Sequence, residues 1–172
     1  MNKPEIERKF LIKFPTSWEN LSELFEDLVD IKRIEQTYLK PKGDEPAARV
    51  RKTIEGLSND LTTVYHFNQK KPIETATHQE LEKEITEKQY QQYLKDAYPG
   101  KGEVEKTRYV FKYHDQTFEL DVFKGKLKGL AILELELDNK NDTVELPPFL
   151  KVEKEITQDK QYNNFELANK TK

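Results

Sequence analysis

The feature that most constrains this chain is a period-two alternation of charged and apolar residues, repeated in at least seven segments along it. Successive side chains of a strand point to opposite faces, so each segment reads as a strand with two unlike faces. Near the N-terminus Glu5, Glu7 and Lys9 oppose Ile6, Arg8 and Phe10. Further on, Ala47, Arg49 and Arg51 share a face, as do His66, Asn68 and Lys70 opposite Tyr65 and Phe67. Glu80, Glu82 and Glu84 oppose Leu81, Lys83 and Ile85. Lys106 and Arg108 oppose Thr107, Tyr109 and Phe111, and Glu119 and Asp121 oppose Leu120 and Val122. The most regular segment sets Leu133, Leu135 and Leu137 against Glu134, Glu136 and Asp138.

One solvated face of an antiparallel sheet would also alternate in this way. Here, however, the charges are sorted by strand: Glu5/Glu7, Glu119/Asp121 and Glu134/Glu136 are like-charged pairs, as are Arg49/Arg51 and Lys106/Arg108. Two like charges 4 Å apart repel by about 4 kcal/mol at an effective dielectric near 20, so a face exposed only to water usually mixes signs. Collecting these strands on one concave face makes sense if a polyanion and a metal offset the repulsion. Carboxylates suit a hard cation such as Mg²⁺ or Mn²⁺, and Lys and Arg suit phosphate. Closing the sheet would remove its edges and leave the charged face around a wet lumen. The expected fold is therefore α+β, mainly β: a closed antiparallel barrel with amphipathic helices packed outside.

Two segments break the strand period. After Phe14-Pro15, Trp18, Leu21, Leu24, Phe25 and Leu28 fall at helical spacing, which predicts a helix laying an apolar stripe on the sheet. Thr86-Glu87-Lys88-Gln89 carries a capping box ahead of Tyr90, Tyr93, Leu94 and Ala97. Residues 42–46, 56–60 and 72–78 read as loops or turns, and His114-Asp115 as a hairpin turn. Residues 151–156 predict a short strand, and the chain from Thr157 a short terminal helix anchored by Tyr162, Phe165 and Leu167.

Composition narrows the function. A length of 172 residues fits one domain spanning 1–172. A mean hydropathy of -0.92 is low, but 9 Phe and 8 Tyr argue for a folded core. A net charge of -3 gives no basic excess for nucleic acid. The absence of cysteine removes disulfides, thiolate catalysis and Cys-ligated zinc, and 3 His make a His-based metal site a poor expectation. No apolar run long enough for a membrane span is present, so the expected location is cytoplasmic. A homodimer is compatible with the sequence.

Glu5-Ile6-Glu7-Arg8-Lys9-Phe10 resembles the ExExK signature of the triphosphate tunnel metalloenzymes, the CYTH superfamily. Glu105-Lys106-Thr107-Arg108-Tyr109, Glu119-Leu120-Asp121-Val122-Phe123 and Leu133-Glu134-Leu135-Glu136 resemble later strands of its short bacterial members, and residues 157–164 their C-terminal segment. One departure is Gln161, where those members often have Arg before the Tyr. The resemblance implies an eight-stranded antiparallel barrel enclosing a tunnel, and metal-dependent hydrolysis of a triphosphate with Mg²⁺ or Mn²⁺. It implies metal contacts from Glu5, Glu7, Glu119, Asp121, Glu134 and Glu136. It implies phosphate contacts from Lys9, Arg49, Arg51, Lys70, Lys106 and Arg108. Lys9, Lys70 and Glu82 are the candidates for a catalytic role, because a lysine of lowered pKa or a carboxylate would serve as a general base. The reaction implied is in-line attack of a metal-positioned water on a terminal phosphorus.

Inorganic tripolyphosphate is the expected substrate, giving pyrophosphate and phosphate. A nucleotide or thiamine would need a side chain to hold its ring, and the third strand offers Ala47 before Arg49 and Arg51, where the resemblance implies a Trp in vertebrate thiamine triphosphatases. Tyr38 leaves ring stacking open. The alternatives are adenylate cyclisation, thiamine triphosphate hydrolysis, and a non-catalytic polyphosphate-binding module.

Overall fold

The computed structural model of the protein describes residues 6–13, 25–74 and 77–172. Alternating segments become nine strands: β1 (Ile6–Ile12), β2 (Asp27–Tyr38), β3 (Ala48–Glu55), β4 (Thr62–Glu74), β5 (Thr77–Ile85), β6 (Val104–Tyr113), β7 (Gln116–Phe123), β8 (Ala131–Leu137) and β9 (Val152–Glu155). They form one sheet in the order β5-β4-β3-β2-β6-β7-β8-β1-β9, and every pairing is antiparallel.

This corrects the expectation of an eight-stranded closed barrel. The sheet has nine strands and is open, with β5 and β9 at its ends. The physical reason lies at β1. One of its edges pairs with β8, and its other edge is taken over Phe10–Ile12 by β9, so β5 is left with β4 as its neighbour. Arg8 strengthens the β9 contact through paired bonds to Glu155 at 2.8 and 2.9 Å.

The expected cover of amphipathic helices is also corrected. Among the described residues there are two short α-helices, α1 (Glu87–Leu94) and α2 (Asn164–Leu167). Trp18, Leu21 and Leu24 lie outside the described residues, while Leu28 is in β2. Residues 72–78 are largely strand, continuing β4 and opening β5. The Thr86 capping box is present: Thr86 Oγ1 accepts from Gln89 N at 3.2 Å and the Gln89 side chain accepts from Thr86 N at 2.9 Å. Tyr90 and Tyr93 of α1 pack on Tyr65 and Phe67, with ring centroids 5.0 and 5.2 Å apart.

The main core lies on the predominantly apolar face of β1, β6, β7 and β8, where Phe10, Phe111, Phe118, Leu120, Leu133 and Leu135 are buried. Phe25 stacks on Phe111 at 4.4 Å and Phe149 packs edge-on to Phe25. A second cluster closes one end of the opposite, charged face. There Tyr38, Val104, Phe123 and Ile132 pack against Ile156, Leu167 and Ala168 from the C-terminal segment. Gly102 makes this docking possible: its N–H donates to Ala168 O at 2.9 Å, and a Cβ there would lie 2.2 Å from Thr171 O.

Candidate functional site

Strand register decides which charges share a face. Glu7 faces Glu136 and Lys9 faces Glu134 across β1 and β8. Glu134 faces Glu119 across β8 and β7, and Asp121 faces Arg108 across β7 and β6. On the other half, Gln36 faces Arg51, Arg49 faces Asn68, and Asn68 faces Glu82. Directly paired residues point to the same side. The structure therefore gathers Glu7, Lys9, Arg49, Arg51, Lys70, Glu82, Lys106, Arg108, Glu119, Asp121, Glu134 and Glu136 on one face. Glu5 lies outside the described residues.

That face has an acidic part and a basic part. Glu7, Glu119, Glu134 and Glu136 line one cavity of about 440 Å³. Lys9, Arg49, Asn68 and Lys70 line another of about 540 Å³, bordered by Tyr38 and by Asn163, Asn164 and Phe165. β1 and β4 stand far apart in the sheet order, yet Lys9 and Lys70 border the same cavity. The sheet thus curls about its charged face without its two edges meeting.

Between the two parts, opposite charges interlock. Arg108 holds Asp121 by a fork, Nε to Oδ1 at 2.7 Å and Nη2 to Oδ2 at 2.9 Å. It also lies 2.5 Å from Glu119 and 3.6 Å from Glu134. Lys106 Nζ donates to Asp121 Oδ2 at 2.5 Å, and both side chains are buried. Lys9 lies 3.5 Å from Glu7 and 3.5 Å from Glu134.

These contacts set the protonation states. Burial would raise the pKa of Asp121, but Arg108 and Lys106 outweigh it and hold the carboxyl well below its ordinary value. Burial pushes Lys106 down to about 8, against the opposing pull of Asp121. Burial would lower Arg108, and Asp121, Glu119 and Glu134 outweigh it. Lys9 is raised by Glu134 and Glu7 against the same burial effect. Glu134 is pushed up by burial and by Asp121.

The basic part is paired differently. Arg49 lies 3.4 Å from Glu80. Neither Arg51 nor Lys70 has a carboxylate within ion-pair distance among the described residues. Arg51 instead donates from Nη2 to Gln36 Oε1 at 3.3 Å. Burial, Arg49 and Arg108 lower it to about 10. Its Nε and the Oδ1 of Asn68 are buried with no hydrogen-bond partner among the described residues. Gln36 and Asn68 are not among the sequence-derived candidates. The signal that could have found them was their place on the alternating faces of β2 and β4, opposite the two arginines.

The donor chemistry suits a hard divalent cation, since Glu7, Glu119, Glu134 and Glu136 offer only oxygen to their cavity. Among the described residues, no three acids or histidines are already grouped as a ligand set. Arg108 and Lys9 sit between the carboxylates and take up their charge.

The CYTH domain profile matches residues 3–168, and the chain belongs to that family. Two curated relatives are inorganic triphosphatases. That of Acetivibrio thermocellus is 37% identical over 65 residues, 38% of this chain and 40% of the relative. That of Nitrosomonas europaea is 44% identical over 66 residues, 38% of this chain and 44% of the relative. The matched stretches thus span less than half the length of either relative. The solved structure of the inorganic triphosphatase NE1496 is 30% identical, covers 97% of this chain and 95% of its own, and superposes with a TM-score of 0.59. Among the described residues, no helix is long and apolar enough to cross a membrane.

Proposed function

We propose that this chain hydrolyses a triphosphate, and that inorganic tripolyphosphate is the substrate, cleaved to pyrophosphate and phosphate. The observation that carries this reading is the division of one concave face into a basic part and an acidic part. Lys9, Arg49 and Lys70 line one cavity, with Arg51 two residues along β3 from Arg49, and Glu7, Glu119, Glu134 and Glu136 line the other. A pure anion-binding module has no use for the second group. The family relationship supports the same reading, because relatives of similar sequence are inorganic triphosphatases.

In this reading Arg49, Arg51 and Lys70 grip phosphate oxygens, with the planar guanidinium fork suited to bidentate contact. Lys9 and Arg108 contact both acids and the phosphate chain, so substrate exchanges partners with carboxylates already in place. Phosphoryl transfer of this kind rests on positioning and charge neutralisation. Mg²⁺ or Mn²⁺, held by Glu7, Glu119, Glu134 and Glu136, would offset the charge of the phosphate chain. Asp121 joins that set if substrate draws Arg108 away from it. Of the three candidates for proton transfer, Lys9 is raised by Glu134 and Glu7 and so stays a protonated phosphate contact, Glu82 is tied to Asn68, and Lys70 is left for that role. The whole of residues 1–172 acts as one domain in this proposal.

Tyr38 bears on substrate choice. It is buried and meets Phe165 edge-on at 5.1 Å, so its ring is already packed. That favours a bare phosphate chain over a nucleotide or thiamine. The direct test is phosphate release from tripolyphosphate with Mg²⁺ or Mn²⁺, against a chelator control. Expected are metal-dependent turnover and its near-complete loss in the Glu134→Gln/Glu136→Gln protein with an unchanged circular dichroism spectrum. Full turnover by that double variant would remove the carboxylates from the reaction.

A further inference from the structure

Two buried polar atoms on the charged face are left without a hydrogen-bond partner among the described residues, Arg51 Nε and Asn68 Oδ1. They stand on paired strands, one alternation apart: Arg49 faces Asn68 and Arg51 faces His66. Each belongs to a side chain whose other end is fixed. Gln36 holds Arg51 at Nη2, 3.3 Å away, and itself donates to Tyr38 OH at 3.2 Å. Asn68 donates from Nδ2 to Glu82 Oε2. Asn68 also borders the basic cavity with Lys9, Arg49 and Lys70.

One orphan atom is a donor and the other an acceptor. Buried polar groups rarely stay unpaired, so a bound species is expected to meet both. A fully ionised phosphate oxygen answers Arg51 Nε–H but is repelled by the Asn68 carbonyl oxygen. An oxygen that carries hydrogen answers both.

We propose, resting on the triphosphate reading above, that Arg51 and Asn68 form one subsite for a hydrogen-bearing oxygen of the bound phosphate chain, either its own P–OH or a water bridged to it. Glu82 is then a positioning residue that acts by holding Asn68, rather than a base or a metal ligand. Its side chain is on the charged face with Asn68, is about half exposed and lies 3.9 Å from His66 Nε2, and an uncharged acceptor at that position would serve Asn68 equally.

The experiment compares wild type, Glu82→Ala, Glu82→Gln, Asn68→Ala and the double alanine variant, with inorganic tripolyphosphate and Mg²⁺. If wild type neither binds nor turns over tripolyphosphate, the parent reading fails. With an active wild type, the subsite is judged on its own. Glu82→Ala should raise KM about fivefold to tenfold, the scale of one hydrogen bond, with little change in kcat. Glu82→Gln should restore KM, because its amide oxygen still accepts from Asn68. The double variant should be no worse than Asn68→Ala alone, because the two act as one unit. A difference between wild type and Asn68→Ala that grows from pH 8 to pH 6 assigns the oxygen to P–OH; a constant difference assigns it to water. The subsite is overturned if Glu82→Ala leaves KM unchanged, if Glu82→Gln is as damaging as Glu82→Ala, or if the two alanine losses add. Should Asn68→Ala fail to fold, the contrast between the two Glu82 variants decides.

Discussion

At the residue scale, what matters is which charge has a partner. Asp121 has two cations and is buried with one of them. Removing its charge leaves Lys106 buried opposite a neutral group, and breaking a buried pair in this way costs about 3–5 kcal/mol. Asp121→Asn should lower the urea midpoint accordingly. The sign of the pH effect follows from the depressed folded-state pKa. Below the ordinary value of 3.8 the unfolded chain binds the proton first, so stability present above that pH is lost as pH falls through the folded value. The Asp121→Asn protein should lack this contribution to the acid limb of a stability-versus-pH curve. Arg51 is the opposite case, a desolvated cation held by Gln36 rather than by a carboxylate among the described residues. Arg51→Ala should weaken triphosphate binding by about 1.5–3 kcal/mol, one charge-assisted contact. Calorimetry with a non-hydrolysed triphosphate analogue checks it, and unchanged affinity would mean that Arg51 does not touch substrate.

At the scale of elements, strands carry the site and short helical pieces hold the strands in place. α1 begins at a capping box and lays Tyr90 on Tyr65, so its first turn matters to the packing over β3 and β4. Thr86→Ala removes the side-chain acceptor of that box and should cost about 1 kcal/mol in thermal unfolding, while activity with tripolyphosphate stays unchanged. The C-terminal segment is fixed from a different direction. Lys101 Nζ donates to Phe165 O and Asn169 Oδ1, both at 2.8 Å, and lies over the Phe165 ring at 3.6 Å. This keeps Asn163, Asn164 and Phe165 at the border of the basic cavity.

At the scale of the whole molecule, the open sheet and its filled end shape what can enter. Tyr38, Val104, Phe123 and Ile132 are packed beneath the C-terminal segment, so the space left over the charged face is bordered mainly by charged and polar groups. A chain of phosphates matches that space better than a substrate with an aromatic ring. In competition at equal concentration, kcat/KM should be highest for tripolyphosphate, with ATP and thiamine triphosphate below it. A higher value for thiamine triphosphate, or formation of cyclic AMP from ATP, would replace the proposed substrate.

Sequence alone determined the strands and their charged faces. Side-chain alternation is a local property of extended backbone, so Glu134/Glu136 opposite three leucines and Lys106/Arg108 opposite Tyr109 and Phe111 could be assigned without knowing any neighbour. The Thr86 capping box and the His114 turn were legible for the same reason, each being held by contacts within a few residues. Closure of the sheet was not legible, because it depends on which strand takes the second edge of β1. The four residues of β9 take it, and no local pattern in β5 or β9 reveals that competition. Leu28 shows the same limit: its helical spacing from Trp18 was overridden by pairing with Phe111 across β2 and β6. Nor could the sequence say that Arg108 would be neutralised by Asp121 while Arg51 would stand against Gln36. Both are arginines on alternating faces, and only the register between distant strands decided which of them met a carboxylate.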